Sequence, residues 1–233
     1  MPKRKLISDS DVRRASKDGQ SVIQISPATI ITPLARDAAR QLGISFSTAS
    51  AESVSAKSPA ESVSANDGGS QCGCKHTDRA IVAVGSDHGG FAYKQDLAAF
   101  IAGLGWEVLD VGTDSETSCD YPEFAYAVAL AVRDGRARLG IMIDGAGPGS
   151  AIACNKVPGI RAACVHDEFT AWNARAHNNA HVMTLGSRSI GIEVARRATK
   201  VFLESAFEGG RHETRVAKIS DIERKFQAVA GKS

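Results

Sequence analysis

Five short apolar runs recur through the last two thirds of the chain: "AIVAVGSD" (80–87), "WEVLDVG" (106–112), "LGIMID" (139–144), "IRAACVHD" (160–167) and "HVMTLG" (181–186). Between and after them lie segments of helical period, "YKQDLAAFIAGLG", "EFAYAVALAVRDG", "FTAWNARAH" and "IEVARRATKVFL", and a charged last helix, "ETRVAKISDIERKFQAVA". Apolar runs this short suit strands buried on both faces. Strands that alternate with amphipathic helices pair in parallel, with helices on both faces of the sheet. Such a sheet gathers its strand-to-helix loops along one edge, and Asp87-His88, Thr113, Asp144 and His166 all fall there.

The chain ahead of this region has a different character. Residues 1–47 read as a short helix with a Ser or Asp cap and a closing glycine ("LISDSDVRRASKDG"), a strand ("SVIQIS") and a second helix opened by Thr32-Pro33. That is too little chain for a large core, so the segment must dock on something. Residues 48–78 hold the hexad AESVSA twice, at 51–56 and 60–65, in a Ser/Ala-rich stretch without aromatics. It reads as a flexible linker that carries no tight packing between the two parts. Cys72, Cys74 and His76 at its end lack the second ligand pair of a zinc site. The bulk numbers exclude several partners. A net charge of +2 argues against nucleic acid and membrane surfaces, and no apolar run approaches the roughly 20 residues of a membrane span. The basic first residues lack the apolar core of a secretory signal, and an odd five cysteines suit reduced thiols in the cytoplasm.

Four clusters could carry chemistry. "GSDHGGF" (85–91) sets Asp87 and His88 beside two glycines that let a sugar approach the backbone. "IMIDGAGPGSAIACNK" (141–156) places Asp144 at a strand end, ahead of Gly145, Ala146, Gly147, Pro148 and Gly149 and the next helix. Open α/β sheets bind ligands there, but an aspartate at a turn serves equally well as a cap. "ARAHNNAHVMTLGSR" (174–188) contributes His177, Asn178 and Arg188. His177 and His181 are four apart, yet the Asn pair between them breaks the helix a shared metal would need. "EGGRHETR" (208–215) puts Arg211 and Arg215 on one face at a helix start, a good grip for phosphate.

The order and spacing of these clusters, with "DYPEFA" (120–125) and "NKVPGIRAA", resemble the ribose-5-phosphate isomerase B family, which includes the galactose-6-phosphate isomerase subunits. The resemblance covers about residues 79–225 and assigns 79–233 to a sugar-phosphate isomerase domain. It implies a three-layer α/β/α sandwich with a five-stranded parallel, Rossmann-like sheet. It also implies homodimers or homotetramers with shared active sites, no metal and no organic cofactor. Asp87 and His88 would contact the sugar, and His177 would be the acid that opens the furanose. Asn178 and the backbone of residues 145–149 would hold the enediolate oxygens. Arg188, Arg211 and Arg215 would grip the phosphate, the last two reaching across from the partner subunit.

The glycine loop departs from the family's "CGTG". Asp144 stands where that pattern has its cysteine base, Ala146 where it has threonine, and Ser150 where another branch has glutamate. Asp144 is therefore expected to be the base, as a glutamate is in triosephosphate isomerase. "IDGAG" and "AHNNA" are also similar to one galactose-6-phosphate isomerase subunit, whose partner chain supplies the cysteine. The expected reaction is ribose 5-phosphate to ribulose 5-phosphate through an enediolate. Galactose 6-phosphate, allose 6-phosphate, a tetrose phosphate, or a silent sugar-phosphate scaffold remain alternatives. Residues 1–47 resemble the leading segment of ethanolamine-utilisation proteins of bacterial microcompartments. That resemblance implies docking to a shell or cargo partner, through the apolar stripe of "ATIITPLARDAARQLGI".

Overall fold

A computed structural model describes residues 6–26, 29–48 and 80–230. Residues 49–79, which include Cys72, Cys74 and His76 and nearly all of the segment read as a linker, lie outside the described residues.

Residues 6–48 run β1 (Leu6–Ile7), α1 (Asp9–Lys17), β2 (Val22–Ile25), β3 (Ile30–Ile31), α2 (Pro33–Leu42) and β4 (Ser45–Thr48). The same local code is written twice. Ser8 caps α1 in a capping box with Asp11, and Thr32 caps α2 with Pro33 in its first turn. β1 pairs in parallel with β3, and β2 with β4. Ile7, Val12, Ala35, Ala38, Ala39 and Ile44 close a small core between the helices and these strands.

The remainder is β5 (Ile81–Ser86), α3 (Phe91–Gly103), β6 (Glu107–Asp110), α4 (Tyr121–Arg133), β7 (Leu139–Asp144), α5 (Pro148–Cys154), β8 (Ala162–Cys164), α6 (Glu168–Ala176), β9 (Val182–Gly186), α7 (Ile192–Glu204) and α8 (Arg211–Ala230). The five strands form one parallel sheet in the order β6-β5-β7-β9-β8. Side chains alternate across it as the strand period requires. Val82, Val84, Ile141, Ile143 and Leu185 pack under α3, α6 and α7, while Ala83, Met142 and Val182 pack under α4 and α5. The chain leaves β5 toward one side of the sheet and reaches β7 on the other. That reversal opens a crevice at the carboxyl ends of β5 and β7.

The N-terminal module packs on the outside of α4. Glu123, in the first turn of α4, is only 5% exposed. One carboxylate oxygen accepts from Asp9 N–H at the start of α1 (3.0 Å), the other from the Thr32 hydroxyl at the cap of α2 (2.7 Å). Two helix N-termini thus converge on one buried acid, the arrangement their dipoles favour. Tyr126 adds a hydrogen bond from its hydroxyl to Asp37 (3.0 Å). Two sequence expectations change here. The two parts of the chain touch directly. Most of the apolar stripe of α2 is already covered, with Ala35, Ala38 and Ala39 at most 3% exposed, and Leu42 at its end is left 40% exposed.

This contact should respond to pH. Burial lifts the Glu123 carboxyl above its ordinary 4.5, and the Asp9 and Asp120 charges add to the lift, against the Thr32 and Asp9 hydrogen bonds. A carboxyl raised by docking holds its proton more tightly when docked. Docking is therefore strongest below about the ordinary value and weakens as pH rises through the raised one. Amide exchange in α1 and α2, corrected for intrinsic rates, should speed up across that window. Glu123→Gln should flatten the dependence, and a flat wild-type profile would contradict it.

Candidate active site

The carboxyl edge of the sheet holds one group of the expected residues. Asp87 and Asp144 follow neighbouring strands at the same level, and Asp87 N–H bonds to Ile143 O at 3.2 Å. Asp87 Oδ1 accepts from Gly90 N–H at 3.0 Å. His88 Nδ1 lies 3.2 Å from the amide nitrogen of Cys119 and 3.1 Å from its carbonyl oxygen, so the loop after β6 fixes the ring. Arg188 N–H bonds to Gly145 O (3.1 Å), and its stem passes over Gly145. Its guanidinium makes no hydrogen bond or ion pair with the described residues.

Asp144 is tied into its own loop. Oδ1 accepts from the N–H groups of Ala146 (2.6 Å) and Gly147, and Oδ2 from the N–H (3.3 Å) and hydroxyl of Ser150. A carboxylate offers about four lone-pair positions, and all are taken. Of the two roles open to it from sequence, the structure displays the cap. In this conformation all four positions are taken within its own loop, whereas the base expected from sequence needs one turned to the substrate. Asp144 also occupies the N–H groups of residues 146 and 147, which were expected to hold the enediolate.

The second group lies at the other edge. α6 descends from the carboxyl end of β8 and finishes ahead of β9, so His177 and Asn178 sit at the amino ends of the strands. Their neighbourhood is fixed by His181 O, which accepts from Gly140 N–H at the start of β7 (2.9 Å). Glu208 N–H bonds to Ala176 O (3.0 Å), which brings the start of α8 to the same place. There His212 stacks on His177 with ring centroids 4.0 Å apart, and Trp172 meets His177 edge-on at 4.8 Å. Asn173 Nδ2 is 2.9 Å from His177 Nδ1, while Glu208 Oε2 is 3.6 Å from His177 Nε2. Asn178 is held through its amide to Asn173, and Arg211 Nε lies 3.3 Å from His212 Nε2. Five strand steps from Leu139 to Asp144 separate the two edges by roughly 17 Å. The expectation that only Arg211 and Arg215 lie apart from the rest is therefore corrected: His177 and Asn178 go with them.

Sequence reading gave no role to Glu208, His212 or Cys119, and noted Ser150 only as standing where another branch of the family has glutamate. The motif "EGGRHETR" contained the first two, but only the fold brings them to His177. Glu208, His177 and His212 offer donor atoms within 4.8 Å of one another. The two imidazole planes are 8° apart and stacked, so their lone pairs run side by side instead of converging on one ion. His181 is no ligand either. Both of its ring nitrogens face Arg161, and burial with the Arg161 and Arg175 charges pushes it down to about 4.

The loop's geometry is itself testable. Gly147 has φ 99°, and a Cβ there would stand 2.7 Å from Cys164 Sγ. Gly147→Ala should destabilise the protein by about 2–4 kcal/mol in thermal unfolding. Adding Cys164→Ala should recover only part, because it relieves the clash and leaves the backbone strain. An unchanged melting temperature would contradict this reading of the loop.

Residues 82–219 match the family described as Ribose/Galactose Isomerase. Ribose-5-phosphate isomerase B of Escherichia coli strain K12 is 42% identical over 144 residues, 62% of this chain and 97% of that protein. D-erythrulose-4-phosphate isomerase of Pectobacterium atrosepticum is 38% identical over 145 residues, 62% and 95% of the two chains. The structure of Clostridium thermocellum ribose-5-phosphate isomerase B superposes with a TM-score of 0.62 at 45% identity, covering 63% of this chain and 99% of that one. With the five-stranded parallel sheet and the strand-end loops in place, the chain belongs to the Ribose/Galactose Isomerase family and is an aldose–ketose isomerase of sugar phosphates.

Proposed function

We propose that the protein interconverts ribose 5-phosphate and ribulose 5-phosphate through a cis-enediolate. Each site is built from the carboxyl edge of one chain and the amino edge of its partner, in a homodimer or a tetramer of dimers. The observation that carries this reading is the separation of the two half-sites within one chain. Asp87, His88 and Arg188 stand at one edge, and His177, Asn178, Arg211 and Arg215 at the other. Neither half alone has both a sugar-contacting acid and a pair of phosphate-gripping arginines. An exposed apolar stripe on α8, with Ile219, Ile222 and Phe226 48%, 57% and 74% exposed, supports association of chains.

In the shared site Arg211 and Arg215 of one chain hold the phosphate, and Arg188 of the other approaches from across the interface. His177 gives a proton to the ring oxygen and opens the furanose. Asn178 steadies the developing oxyanion. A carboxylate of the facing edge moves the proton between C1 and C2. The resemblance of residues 1–47 to microcompartment proteins supports a location inside such a shell. With most of the α2 stripe covered, the face left for a shell or cargo partner includes Val22 and Leu42, 42% and 40% exposed. Among the described residues no helix is long and apolar enough to cross a membrane.

Two measurements test the reading. His177→Ala should slow turnover of ribose 5-phosphate about 10²–10⁴-fold, the range for losing an acid catalyst. It should spare a tetrose 4-phosphate, which has no free hydroxyl to close a furanose. Equal losses on both would remove ring opening from His177. Separately, inactive His177→Ala and Arg188→Ala chains should regain activity on subunit exchange, with roughly a quarter of the sites intact in a randomised dimer. His177→Ala mixed with Arg211→Ala should regain none, since both lesions lie in the same half-site. Recovery in neither mixture would contradict the shared site.

A further inference from the structure

We propose that Asp87 is the base that carries the proton between C1 and C2, and that Asp144 serves to staple the glycine loop. The proposal rests on the isomerase reading above and goes beyond it in naming the reacting group. The two carboxylates leave adjacent strands at the crevice where the sheet reverses direction, yet they are bound in opposite ways. Asp144 accepts four hydrogen bonds from residues 146, 147 and 150, two on each oxygen. Asp87 accepts through Oδ1 from Gly90 N–H, while Oδ2 takes no hydrogen bond from the described residues. Asp87 as a residue is only 7% exposed, so this oxygen without a hydrogen bond stands in a largely dry place at the carboxyl edge, level with Asp144 on the neighbouring strand. A positioned carboxylate oxygen with a free lone pair in a largely dry site is what proton abstraction from carbon requires.

Basicity agrees with geometry. Burial lifts the Asp87 carboxyl above the ordinary value and the Asp144 charge adds to the lift, against the N–H groups of Gly90 and Gly89 and the His88 ring. The thiols at this edge are poor substitutes for the cysteine that the family's loop pattern carries. Burial pushes both Cys119 and Cys164 up, toward the protonated form.

The step balances without any co-reactant. From ribulose 5-phosphate, Asp87 Oδ2 takes a proton from C1. The C1–H electron pair becomes the C1–C2 double bond, and the carbonyl pair moves onto O2. Protonated Asp87 then returns its proton to C2, while the O1 proton passes to O2 and the carbonyl forms at C1. One proton moves from C1 to C2 and one from O1 to O2.

The test is the rate at which the full chain removes C1 protons of ribulose 5-phosphate in D2O, followed by proton NMR. With its O5 phosphorylated, this ketose cannot close a furanose, so the readout reports enolisation free of ring opening. Asp87→Asn should lower kcat at least about 100-fold, with KM changed only several-fold. Asp144→Asn should keep kcat within about tenfold of wild type and lose thermal stability instead. A four-carbon aldonate 4-phosphate, whose carboxylate mimics the enediolate, should still raise the melting temperature of both variants, which shows the sites are assembled. An Asp87→Asn chain that binds the mimic and enolises at the wild-type rate overturns the proposal. So does an Asp144→Asn chain that binds it and falls 100-fold. Should Asp87→Asn not fold, Asp87→Glu decides, because the displaced oxygen should cost about 10–100-fold in kcat and wild-type kcat would overturn the proposal. If wild type is inert on ribulose 5-phosphate, the ribose reading fails, and the comparison runs on whichever four- or six-carbon ketose phosphate it turns over. Inertness on all three overturns the proposal as well.

Discussion

Parallel strands have a direction, and that direction decides where every polar group of this enzyme can stand. Each strand rises to a loop at one edge, each helix returns the chain to the other, and the interior between them is filled by Val82, Val84, Ile141, Ile143 and Leu185. Chemistry is confined to the two rims. Asp87, His88, Asp144 and Arg188 follow strands and take the carboxyl rim, while His177, Asn178 and Arg211 follow helices or lead into them and take the amino rim. No loop movement within one chain closes a gap of roughly 17 Å across a packed sheet. In the shared site proposed above, a second copy of the chain closes it by placing its opposite rim against the first.

At the carboxyl rim two aspartates of equal reach are given different work by their surroundings. The short helix α5 and the turn before it point their N–H groups at Asp144, which satisfies them and fixes the loop. Asp87 is held by the turn at Gly90 through Oδ1, and its Oδ2 takes no hydrogen bond from the described residues. Replacing a loop thiol by a carboxylate therefore does more than exchange one base for another. The longer, charged side chain finds donors in its own loop, and the neighbour left under-bonded inherits the reactive position. The pairing resembles other carboxylate pairs in which unequal environments set unequal roles.

Much of this was legible in the residues. The five apolar runs fell on the five strands, a Ser or Asp cap was expected for the first helix and Ser8 supplies it, Thr32-Pro33 opened the second, and Asp144 was recognised as a strand-end residue with two roles open. Local signals are strong where a short stretch satisfies itself. What escaped was long-range. Strands of two residues such as β1 and β3 have no period to detect, and they exist because they pair with each other. The docking of Asp9 and Thr32 on Glu123 spans 114 and 91 residues, with nothing in either segment to announce it. His177 and Asn178 were recognised as chemistry but not as residents of the far rim, since that follows from strand direction. Their stacking partner His212 became visible only once α8 was placed beside α6.

A crystal structure of the full chain with a four-carbon aldonate 4-phosphate would examine the two-rim site most directly. The phosphate should lie on Arg211 and Arg215 of one chain, and the carboxylate end should face Asp87 of its partner. A ligand whose phosphate and carboxylate are both held by residues of a single chain would contradict it.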